Sequence, residues 1–137
     1  METRAYLNRG YLLSRRLEVK KADRDTLANV ISRYEASESK TDHRNTSEDT
    51  AIRWSELQKE IELMEIDLRK IDKETDEVIS KLENPNEYAV LYCRFIRRLG
   101  WKEVAEATKY SEQYVYKLYT NGVRNCREYV DEIGGEA

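Results

Sequence analysis

The chain has 137 residues, of which 37% are charged and 39% apolar, and its mean hydropathy is −0.87. Five Gly and one Pro exclude a fold built on many tight strand turns, and the composition suits long amphipathic helices that bury one stripe and solvate the rest. A net charge of −3 excludes a chain that is basic throughout, yet residues 84–127 hold eight Lys/Arg against four Asp/Glu, a basic segment between acidic ones.

In chain order, the first segment runs from about Glu2 to Ser37. Tyr6, Leu7, Leu13, Leu17, Leu27, Val30, Ile31 and Tyr34 fall at helical spacings. They predict one long helix, kinked or broken near Asp23. Residues 37–49, SESKTDHRNTSED, contain no large apolar side chain. Ser, Thr, Asn and Asp compete for the backbone, so this stretch is expected to be a linker, with Ser47, Asp49 or Thr50 capping the next helix. His43 stands in it without a nearby Cys or second His, so no metal site is expected.

Residues 50–83 carry the cleanest period. Trp54, Leu57, Ile61, Met64, Leu68, Ile71, Thr75, Val78 and Leu82 follow alternating steps of three and four, a heptad seam with one polar member, Thr75. Such a seam needs a partner. Two partners fit: the first helix, in an antiparallel hairpin, or the same helix of a second chain, in a homodimer. Asn84-Pro85 then closes one helix and opens another, because Asn caps well and Pro is tolerated at the first helical position. The expected division is a helical arm over 1–83 and a second domain over 84–137.

From Pro85 the pattern predicts three helices. The first covers about 85–99 and ends at Gly100 in a left-handed conformation. The second covers about 101–107. The third is opened by Ser111 and runs through EQYVYKLYTNGV, to residue 123, and on towards Tyr129. A short helix, a short turn and a capped helix make a helix-turn-helix, whose last helix enters the major groove of duplex DNA. Val104, Ala105, Val115 and Leu118 fall where the two helices must touch. Glu112, Gln113, Tyr114, Tyr116 and Lys117 occupy the early exposed positions and can reach base edges or phosphates. Lys102, Lys109 and Arg124, with Arg94, Arg97, Arg98 and Arg127, supply positive charge nearby.

The block LYCRFIRRLGWKEVAEATKYSEQYVYKLYTNGV resembles the region-4 helix-turn-helix of bacterial sigma factors. The residues that carry the likeness are Gly100, Glu103-Val104-Ala105, Ser111, Val115 and Leu118. With the preceding arm, the chain resembles phage and prophage regulators of the RinA/ArpU type. The close match covers roughly 84–125. It implies promoter DNA as ligand, activation of late phage genes and a DNA-contacting helix over 111–121, while the 1–83 arm is expected to dimerise or to contact RNA polymerase. The pattern often has Gly where Lys109 stands, and a left-handed non-Gly residue costs about 1–2 kcal/mol, so a reshaped turn is expected.

Other readings compete. A phage DNA-packaging recognition subunit also joins a helix-turn-helix to oligomerising helices, and a helical adaptor would keep the fold without touching DNA. Cys93 and Cys126 are too far apart for a CxxC motif and are expected to be reduced thiols. No phosphate-binding Gly-rich loop, nucleophile with a His partner or paired catalytic carboxylates stand out, so neither an enzyme nor a cofactor is expected. No apolar run reaches the length of a membrane span and no signal-peptide core follows Met1, so a cytoplasmic location is expected.

Overall fold

With so few helix breakers, long stretches of the chain keep their backbone hydrogen bonds within helices. The computed structural model describes residues 2–36 and 44–134, and these are all-helical. In order they form α1 (Thr3–Leu7), α2 (Arg9–Ala36), α3 (Arg44–Ile79), α4 (Pro85–Leu91), a π-helical turn (Tyr92–Ile96), α5 (Trp101–Thr108) and α6 (Glu112–Gly134). The chain divides into two compact units, one of Leu13–Leu68 and one of Met1–Leu12 with Arg69–Ala137.

The unit of 13–68 is an antiparallel pair made by α2 and α3. Lys20 Nζ meets Glu60 at 3.2 Å, Lys21 Nζ meets Glu65 at 3.3 Å and Arg24 Nη1 donates to Gln58 Oε1 at 3.0 Å, so from Lys21 to Arg24 the partner moves back along α3 from Glu65 to Gln58. The seam supplies the apolar contribution: Ile61 and, from α2, Leu17 are buried, and Trp54, Leu57, Met64 and Leu68 are half-buried. The flanking exposed pairs each add no more than about 1 kcal/mol. The seam's partner within the chain is therefore the first helix.

Two expectations about these helices are corrected. α2 runs unbroken past Asp23, and the interruption lies at Asn8 (φ −88°, ψ 3°). There Arg9 Nε takes up the Tyr6 carbonyl at 3.0 Å, and its guanidinium lies 3.9 Å from the Tyr6 ring centroid. α3 begins at Arg44, so 44–49 are helix, with Ser47, Asp49 and Thr50 inside it instead of at its cap. Each polar residue costs a helix only tenths of a kcal/mol, and a nucleated helix extends readily. The rest of the expected linker, including His43, lies outside the described residues.

The second unit holds α1, α4, the π turn, α5 and α6 with the adjoining ends of α2 and α3. Its core joins Leu7, Val78, Ile79, Leu91, Phe95, Val104, Val115, Leu118, Cys126 and Val130 among others. Val78 and Leu82 thus serve this core and not a coiled coil; Leu82 lies beyond the end of α3. Thr75 is buried and Ile71 half-buried. Residues 1–12, expected in the arm, belong here. A Cβ added at Gly134 would meet Tyr6 Cε2 at 2.7 Å, so glycine lets the α1 aromatic ring close on the end of α6.

Asn84 caps α4 as its sequence predicts, with Oδ1 accepting from the Asn86 amide at 2.9 Å and Pro85 next in line. The end of the following segment differs from expectation. Arg97 N donates to Tyr92 O and Leu99 N to Cys93 O, which widens the last turn. Arg98 takes the left-handed conformation (φ 58°), while Gly100 is extended (φ −69°, ψ 166°) and precedes α5. The strain at Arg98 is offset by its guanidinium, which reaches Asp72 Oδ1 at 2.9 Å and Oδ2 at 3.1 Å. α6 runs on to Gly134 because Gly122, Cys126 and Val130 keep its buried stripe going. Leu91 lies so near Gly122 that an added Cβ would meet its Cδ1 at 3.1 Å.

Candidate nucleic-acid interface

α5 and α6 are joined by Lys109, Tyr110 and Ser111. Lys109 adopts the left-handed conformation (φ 64°, ψ 26°) that this turn gives to glycine, so the turn keeps its shape with a lysine in it. That overturns the expected reshaping. Ser111 Oγ accepts from Tyr114 N at 3.2 Å, and Ser111 O from Val115 N at 2.9 Å, which makes Ser111 the cap of α6. The turn is tied down from outside as well: Tyr110 donates its hydroxyl to Asn86 Oδ1 at 2.8 Å.

The four expected contact residues, Val104, Ala105, Val115 and Leu118, are all buried. Opposite them, Ser111, Glu112, Gln113, Tyr114, Tyr116 and Lys117 are all exposed. Their helical spacing sorts them. Gln113, Lys117 and Arg124 fall on one line facing away from the core, at steps of four and seven. Tyr114 and Tyr116 flank that line, one on each side. Tyr114 meets Tyr110 edge-on (5.0 Å between centroids, 89°). Tyr116 meets Trp101 at 5.9 Å and 65°, and Trp101 stands at 86° to Tyr119. Such edge contacts favour defined ring positions. Tyr114 remains 40% exposed and Tyr116 59%. Beside Tyr116 an open hollow, mostly apolar, is lined by Trp101, Glu112, Gln113 and Tyr116.

The basic residues divide by their partners. Arg98 is committed to Asp72, and Arg94 donates to Leu99 O at 2.8 Å with its guanidinium 4.3 Å from the Trp101 ring centroid. Neither is a free phosphate contact, unlike what their sequence position suggested. Arg97, Lys102, Lys109, Lys117, Arg124 and Arg127 are exposed, and among the described residues none of them forms an ion pair. Arg4 of α1, on the same unit, is also exposed and forms no ion pair among the described residues, and its guanidinium lies 5.9 Å from the Tyr119 ring centroid. Sequence reasoning missed it because only the docking of α1 on α6 brings it there.

Two titratable groups of this unit are shifted from their ordinary values. Burial pushes the Cys126 thiol up to about 12, and the neighbouring Glu87 charge adds to the shift. Glu87 itself is buried and accepts from Asn125 Nδ2 at 2.8 Å. Burial, followed by the hydrogen bond from its hydroxyl to Asp76, raises Tyr88. Cys93 and Cys126 are free thiols, both buried. Among the described residues no cluster of His, Cys, Asp and Glu is arranged to hold a metal, and no helix is long and apolar enough to cross a membrane.

No family model matches the chain, and neither a curated protein nor a solved structure does.

Proposed function

We propose that this chain is a sequence-specific regulator of transcription that reads duplex promoter DNA through the first turns of α6, as an activator of the RinA/ArpU kind. The observation that carries the reading is the placement of Gln113, Tyr114 and Lys117. All three are exposed on the leading turns of a capped helix whose opposite face, Val115 and Leu118, is buried. An amide, a phenol and an ammonium there supply donors and acceptors for base edges and phosphates. The unpaired Lys102, Lys109, Arg97 and Arg124 supply the charge complementarity that duplex binding requires.

The arm takes the protein contacts. Ile52, Leu63 and Ile66 are exposed (Leu63 by 65%), and their spacing puts them on one face of α3. An apolar stripe in the open suits a second copy of the chain, with RNA polymerase as the other occupant. A dimer would bind paired half-sites about one DNA turn apart.

The test is selection from genomic duplex fragments by the purified full-length chain, repeated with Tyr114→Ala and Lys117→Ala. Recovery of a discrete set upstream of genes, weakened by both variants, supports the reading. Recovery of nothing at low salt overturns it. Recovery of packaging-site fragments by a ring-shaped oligomer would replace promoter reading with packaging recognition.

A further inference from the structure

Resting on that reading of α6, we infer that Arg4, Arg124 and Arg127 form a seat for a phosphodiester of the bound duplex, so that the N-terminal segment is part of the DNA-contacting surface. The three arginines line one open hollow with Glu2, Thr3 and Asp131. Arg4 is brought there by the burial of Tyr6 and Leu7 in the core and by the closure of Tyr6 on Gly134. Although two carboxylates share the hollow, none of the three guanidiniums is ion-paired among the described residues. Their N–H groups are left for an incoming acceptor, and the planar fork of arginine fits phosphate oxygens in pairs.

Position and charge identify the occupant. Arg124 continues the line of Gln113 and Lys117, roughly 16 Å further along α6 at about 1.5 Å per residue. The major groove is about 12 Å wide, so a helix that puts Gln113 among base edges carries Arg124 and Arg127 to the sugar-phosphate ridge at its border. Three cations and two anions leave the hollow with one net positive charge, which matches the single charge of a phosphodiester. Free phosphate, a mixture of monoanion and dianion at neutral pH, shares the same chemistry, so the test separates the two sources.

The experiment uses Arg4→Gln and Arg127→Gln in the full chain, with thermal melts to confirm that these exposed positions leave folding intact. Affinity for a selected duplex and for an unrelated one is measured between about 50 and 200 mM salt. Each variant is expected to lower the salt slope by about 0.9, the share of one phosphate contact, and to weaken both duplexes equally. Wild-type slopes in both variants, with the parent protein still binding, overturn the seat and leave the reading of α6 standing. A parent protein that binds no duplex overturns both. Inorganic phosphate that binds the parent at constant ionic strength without displacing the duplex, and binds neither variant, assigns the seat to the free anion and overturns the duplex contact.

Discussion

Tyr110 in the turn before α6 donates its hydroxyl to Asn86 in the first turn of α4, at 2.8 Å. The bond fixes the turn against a helix 24 residues earlier, and the Tyr110 ring then meets Tyr114 edge-on. One residue thus couples the domain's frame to a side chain on the proposed reading face. Tyr110→Phe keeps the ring and removes the bond. We expect a loss of about 1 kcal/mol in urea-melt stability. The duplex affinity should fall only slightly, because the Tyr110–Tyr114 ring contact survives.

Ser111 separates capping from charge. Ser111→Ala should lower stability by about 1 kcal/mol through loss of the bond to the Tyr114 amide. Ser111→Asp keeps a cap and suits the helix dipole, so stability should be retained. The added anion would face the duplex, and affinity should drop steeply. Paired melts and gel-shift titrations read the two effects apart.

Lys109 holds a conformation that favours glycine. Lys109→Gly should raise stability by up to about 1 kcal/mol, since the relieved strain is partly offset by the entropy of a new glycine. Lys109→Ala should give no such gain. Both variants should lower the salt slope of duplex binding by about 0.9.

Alkaline stability should depend on Cys126. Its thiol is raised from the ordinary 9.0 to about 12. The folded chain therefore holds this proton more tightly than the unfolded chain does. The resulting stability is complete below about pH 9 and is lost as pH rises towards 12. Cys126→Ala leaves a cavity, which costs stability at every pH, but it should flatten that alkaline decline. Denaturant melts from pH 8 to 11 read the slope. The raised Tyr88 hydroxyl adds its own decline at the upper end, which the Cys126 variant leaves in place.

Local chemistry made much of the C-terminal unit legible. Asn84-Pro85 and Ser111 announce helix starts by capping alone, and the burial of Val104, Ala105, Val115 and Leu118 follows from helical spacing. The heptad seam is legible for the same reason, since none of its nine members is exposed. What escaped depends on contacts across the chain. Gly100 is the local choice for a left-handed helix end, but Asp72 on α3 steadies Arg98 in that role. Asn8 interrupts the first helix where Arg9 recovers the freed carbonyl, which no spacing rule anticipates. The fate of Val78 and Leu82 and the place of Arg4 both follow from docking of residues 1–12 and the end of α3 onto α4–α6.

The most direct measurement of the central claim is an NMR titration of the full-length chain with a duplex it selects. The account predicts that the largest amide shifts fall at 111–117, with smaller ones at Lys102 and Arg124 and little change in the hairpin of 13–68. A complex that forms while the amides of 111–117 keep their free positions would contradict it.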